Sequence, residues 1–137
     1  MSQQPIDWST ARAPSLDEFA AMAQAAFAAL PQPFRGMAAE VRMRVADFPD
    51  EDLLEELGLE DPFELTGVYQ GRDLAHRSVL DVAPLPAEVV LFRRPILDEW
   101  AENGQASLGE LIAHVLIHEI GHHFGLSDSD IEMAEDS

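Results

Sequence analysis

The stretch HEIGHHFGLSDSD, His118 to Asp130, decides the reading of this chain. It sets two histidines and a glutamate on one helical turn, then a glycine, then an aspartate. On an α-helix, residues four apart stand with Cβ atoms about 5–6 Å apart on one face. The rings of His118 and His122 can therefore meet at one ion, at the roughly 2.0–2.1 Å that zinc prefers to imidazole. Glu119 lies beside them, within reach of water on that ion. This is the H-E-x-x-H arrangement of two ligands and one general base. A catalytic zinc needs a third protein ligand and an open position. Gly125 can adopt positive φ and turn the chain out of the helix. Asp128 then offers a carboxylate to the same ion, with Asp130 and Glu132 as substitutes.

The surroundings supply the helix that the motif requires. Ser107-Leu108-Gly109-Glu110 reads as a capping box, and the helix it opens runs to about Phe124. Leu108, Leu111, Ile112, Val115, Leu116 and Ile120 recur at helical spacing as core candidates. His114, one turn before His118, reads as a packed or supporting histidine, and His123 as a favourable charge at a helix C-terminus. His76 has no visible partner. Asp128 to Glu135 can form a last short helix or fray.

Further upstream, Ser15-Leu16-Asp17-Glu18 is another capping box. It is followed by Leu16, Phe19, Ala23, Ala26, Phe27 and Leu30 on one face, with Pro31 and Pro33 as the stop. Val41 to Val45 alternates as a half-exposed strand. Asp50 to Leu57 predicts a short acidic helix closed by Gly58. Leu65 to Tyr69 reads as a strand with Gln70-Gly71 as its turn, and Val79 to Val82 as another short one. Val89 to Phe92 is apolar at every position, as in a central strand covered on both sides, and Pro95 ends it. Ile96 to Trp100 fits helix or extended chain, and Asn103-Gly104 is a turn. The expected fold is α+β, a small mixed sheet of three to four strands packed with two long helices. Residues 1–14 form an N-terminal arm and 15–137 a single domain.

Composition narrows the function. The net charge is −18, and all 8 basic residues are arginine. So acidic a surface argues against nucleic acid or an anionic membrane as partner. There are no cysteines, so any metal must be held by His, Asp or Glu. The N-terminus lacks the pattern of a secretory signal, and no run has membrane-spanning length, so the cytoplasm is the expected compartment.

The pattern H-E-x-x-H-x-x-G-x-x-D resembles the zincin metallopeptidases, most closely the small bacterial minimal zincins. Pro14-Ser15-Leu16, Leu65-Thr66-Gly67-Val68-Tyr69-Gln70-Gly71, Leu91-Phe92-Arg93-Arg94-Pro95 and the final helix are similar to that family's layout, over residues 14–131. The resemblance implies one zinc ion bound by His118, His122 and Asp128, with Glu119 as the catalytic base on zinc-bound water. It implies hydrolysis of a peptide or amide bond in a peptide or protein substrate. Tyr69, Arg93 and Arg94 are candidate oxyanion donors, and an exposed strand edge beside the active helix is a candidate seat for substrate. The tail also resembles the metzincins, which carry a methionine turn beneath the metal; here Met133 lies downstream, with 12 residues after Gly125. That short tail leaves room for two alternatives: a protein partner that completes the cleft, and a non-catalytic, zinc-stabilised binding or regulatory module. An acidic adaptor for a basic partner is a third.

Overall fold

The computed structural model describes residues 7–70 and 87–136. In chain order its elements are α1 (Leu16–Ala28), α2 (Phe34–Met37), β1 (Arg42–Ala46), α3 (Glu51–Leu57), β2 (Gly67–Gln70), β3 (Glu88–Phe92), α4 (Arg93–Asn103), α5 (Leu108–His123) and α6 (Asp128–Glu135), with 3-10 turns at Trp8–Thr10 and Pro62–Glu64. The architecture is α+β, as the pattern of periodicities predicts. The strand expected at Val79 to Val82, the glycine of the Gln70-Gly71 turn and His76 all lie outside the described residues.

The sheet has the order β1-β3-β2, with β3 parallel to β1 and antiparallel to β2. This explains the unbroken apolar run in β3. A strand with neighbours on both sides and cover on both faces has no solvent-facing position, and Val89, Val90, Leu91 and Phe92 are all buried. On one face, Val89 and Leu91 join a core cluster with Phe19 and Ala23 of α1, Phe34 of α2, Ile96 of α4 and Ile131 of α6. Their partners Met43, Val45 and Tyr69 flank that cluster from β1 and β2.

Helix α5 is the element around which this core is assembled. It contacts α1, α2, α4, α6, β2 and β3. Leu108, Ile112, Val115, Leu116, Ile117 and Ile120 are buried, and Leu111 packs at the margin. Ser107 caps the helix by accepting from the Glu110 N–H at 3.1 Å. Only this forward half of the expected capping box is formed by Ser107, whereas Ser15 and Glu18 of α1 make both halves.

Several boundaries depart from the sequence-based expectation for local reasons. Asp61 caps a 3-10 turn at Pro62–Glu64, which delays β2 from Leu65 to Gly67. Pro95 falls in the first turn of α4, where a missing N–H costs nothing, so Ile96 to Trp100 is helical. The C-terminal segment does not fray. Ser127 and Asp130 form a reciprocal capping box, and Ile131, fully buried, anchors α6 on α5. That burial contributes roughly 1.5–3 kcal/mol, which matters for a helix too short to persist alone.

Two glycines set how closely elements approach α5. A β-carbon on Gly67 would stand 3.0 Å from Val115 Cγ1 and 3.2 Å from Leu91 Cδ2. One on Gly121 would stand 2.8 Å from both Cγ1 and Cδ1 of Ile131. Gly109, in contrast, has nothing within 4 Å of such a position. Gly67→Ala and Gly121→Ala are each expected to lower stability by about 1–3 kcal/mol through overpacking. Gly109→Ala should raise it by up to about 1 kcal/mol through helix propensity. Urea denaturation checks the pair of signs; equal effects at all three positions would refute the packing account.

Candidate metal centre

The last turns of α5 carry the motif, and the way α5 ends determines what meets it. Gly125 takes φ 88°, the left-handed conformation. Its N–H donates to the His122 carbonyl at 3.0 Å and the Leu126 N–H to the Gly121 carbonyl at 2.9 Å. These are the two bonds of a Schellman motif, which satisfies helix-end carbonyls and reverses the chain. Ser127 then caps α6, and Asp128 becomes its first residue. Helix α6 returns along α5 with Ile131 seated at Gly121, so its first turn lies beside His122.

This arrangement brings His118, His122 and Asp128 together. One donor atom from each lies within 4.8 Å of the others. Asp128 Oδ1 is 2.7 Å from His122 Nε2 and 3.7 Å from His118 Nδ1. The His118 and His122 ring centroids are 5.6 Å apart at an interplanar angle of 77°. Two imidazoles and a carboxylate converging on one point form a donor set of the kind that holds catalytic zinc, and the residues present fit that ion. Burial is the largest cause lowering the pKa of His118, and the neighbouring His114 adds to it. A lowered value keeps the imidazole neutral near pH 7, the state in which it can ligate.

Glu119 points to a different side of the helix and is partly buried. Burial raises its pKa above the ordinary 4.5, opposed by nearby His122 and by a hydrogen bond from the Tyr69 backbone N–H. The strand register accounts for that bond. Phe92 N–H donates to the Thr66 carbonyl, so Thr66 and, two residues on, Val68 face β3 with their hydrogen-bonding groups. By the alternation of an antiparallel ladder, Gly67 and Tyr69 direct theirs outward. Glu119 therefore touches the outer edge of β2, which pairs with no other strand among the described residues. The Tyr69 ring stacks on His123, centroids 3.6 Å apart at 17°. This contact gives His123 a packing role in addition to its place in the last helical turn.

The other sequence candidates fall elsewhere. Asp130 accepts from the Ser127 N–H at 3.1 Å as the returning half of its capping box. Arg93 donates to Asp47 at 2.6 Å and to the Pro14 carbonyl at 2.9 Å. Arg94 lies 5.9 Å from the centre of the Phe48 ring. Both arginines thus serve the junction of β1, α4 and the N-terminal segment. They line a hollow of about 470 Å³ with Phe63, Leu97 and Trp100, and no motif residue takes part in it. Met133 is 73% exposed on α6 rather than buried beneath the histidines. Sequence reasoning overlooked Gly121, Ile131 and Glu135. The Ser127-x-x-Asp130 capping pattern was the available signal that α6 exists, and that α6 brings Ile131 and Glu135 onto α5.

Comparison with curated proteins gave no match. The family of zincin-like metallopeptidases matches residues 38–137, a span that contains β1 to β3, α4 to α6 and every residue of the motif. With well over half of its length matched, the chain belongs to the zincin-like metallopeptidase family.

Proposed function

We propose that this protein hydrolyses peptide or amide bonds with one zinc ion held by His118, His122 and Asp128, and with Glu119 as general base. The observation that carries the reading is the meeting of those three donors at the end of α5, with Glu119 one residue from His118 and against the edge of β2. Bound zinc would supply Lewis-acid polarisation of a carbonyl and acidify water.

The chain's own residues supply the rest. Burial makes Glu119 more basic than an exposed carboxylate, so it accepts a proton from water more readily and can hand it to a leaving amine. The Tyr69 N–H restrains that carboxylate from one side. The outward edge of β2 offers backbone groups to an extended peptide, which would pair alongside Glu119. His118 and Asp128 are held from two helices locked by Ile131, so the donor set is preorganised.

A specific observation favours this reading over a zinc-stabilised binding module. The core cluster is built from apolar side chains of α1, α2, α4, α5, α6 and the sheet, while His122 and Asp128 are exposed. The fold has its own hydrophobic support, unlike small domains whose folding energy is metal binding.

Glu119→Gln should retain stoichiometric zinc and lose hydrolysis of a peptide library by about 10²–10⁴-fold. Unaltered hydrolysis in that variant would exclude Glu119 as the base. The same substitution has a pH signature in the metal-free protein. A raised folded-state pKa means the native state binds more protons than the unfolded state between 4.5 and that raised value. Native stability therefore falls as pH rises through that window, and the cost persists above it. Glu119→Gln should accordingly be the more stable variant at neutral pH, with an advantage that disappears below about 4.5. Thermal melts across the range check this; an advantage constant with pH would show that carboxylate burial is not its source.

A further inference from the structure

The return of α6 along α5 creates a second convergence of donors. His114, His118 and His122 recur every four residues and so form one stripe along α5. Asp128 and Glu135, seven apart on α6, lie on the face that carries Ile131 between them. With the helices running in opposite directions, the stripe meets Asp128 at one end and Glu135 nearer the other. His118 stands between the two carboxylates. Its Nδ1 lies 3.7 Å from Asp128, and its Nε2 lies 3.8 Å from Glu135 Oε1.

The second contact is not a hydrogen bond, since 3.8 Å is too long. His118 Nε2 is buried and lacks a hydrogen-bond partner; among the described residues no other buried side-chain nitrogen or oxygen does. The His114 ring is 4.1 Å from that of His118, tilted by 45°. Donor atoms of His114, His118 and Glu135 all fall within 4.8 Å of one another. Two ligands of a tetrahedral ion, each at about 2.0–2.1 Å, are separated by roughly 3.4 Å. A small side-chain adjustment would meet that spacing.

We propose that His114, His118 and Glu135 form a second divalent-cation site, one helical turn from the first, which competes with it for His118. A neutral imidazole has one lone pair available. When His118 turns that lone pair to the second site, the first keeps only His122 and Asp128. Excess zinc therefore weakens the first site instead of merely filling an independent one. The proposal rests on the reading of His118, His122 and Asp128 as the first site, and its test separates the two.

The experiment is zinc titration of the full chain by calorimetry, with crystals soaked in high zinc and examined at the zinc absorption edge. The wild type should take a second, weaker equivalent, with an anomalous peak among His114, His118 and Glu135. Glu135→Gln and His114→Ala should each lose that equivalent and that peak while keeping the first. His122→Ala should lose the first and move the single peak to the second position. Absence of any anomalous peak among His114, His118 and Glu135 in the wild type at high zinc, or survival of that peak in both Glu135→Gln and His114→Ala, overturns the proposal. A wild type with a peak only at the second position would overturn the first-site reading and leave this one standing.

Discussion

The seating of Ile131 against Gly121 is the contact on which the site depends. The glycine leaves room for a side chain that is wholly buried, and any β-carbon there would push α6 away. Because Asp128 and Glu135 belong to α6, their distance from the histidines is set by that seat. The x positions of H-E-x-x-H are therefore not neutral in this chain. One of them, Ile120, is buried in the core, and the other, Gly121, admits the helix that brings the carboxylates. The geometry of the candidate ligands is thus a consequence of hydrophobic packing between Gly121 and Ile131, each within three positions of them.

Helix α5 reconciles two demands through its periodicity. Its buried residues bind it to the sheet and to α1, while His114, His118 and His122 fall along one edge of that apolar face. A ligand stripe at the margin of a packed face is rigid without being desolvated entirely. His118 is the most enclosed of the motif's imidazoles and Asp128 the most exposed of the three donors; their side chains are 21% and 75% exposed. The gradient leaves the carboxylate side open to solvent and the imidazole side anchored, the polarity that an open coordination position needs.

Much of this was legible in the sequence, and the reasons differ by element. The cap at Ser15, the stop after α1, the short helix closed by Gly58 and the central apolar strand are local signals, and each element lies within two residues of its expected place. The pairing partners of β3 were not legible, because register and strand order depend on long-range contacts. The motif residues were legible because i, i+4 spacing is a geometric statement in itself. What stayed open was whether the last short helix, Asp128–Glu135, forms, and what escaped was the contact it makes with α5. The importance of that helix lies in an antiparallel helix contact that begins with a Schellman reversal, and a sequence shows the glycine of such a reversal without showing what the returning chain will meet. The roles of Arg93 and Arg94 were open for a similar reason: their partners Asp47, Pro14 and Phe48 are distant in sequence.

The overall charge places a further constraint on how the site selects its ion. With a net charge of −18, the surface concentrates every cation near it, without regard to identity. Bulk attraction therefore raises the encounter rate for calcium and magnesium as much as for zinc. Discrimination must come from the donors themselves. Calcium and magnesium demand oxygen ligands, whereas imidazole suits zinc and its transition-metal neighbours. In the proposed reading, the histidine stripe is the feature that would turn an unselective electrostatic attraction into a selective site in an acidic protein without cysteine. Under that reading each carboxylate brought by α6 would complete the selection only where it meets an imidazole pair. The same logic explains why acidic side chains elsewhere, from Asp47 to Glu64, gain nothing from their number: they have charge without a nitrogen donor beside it.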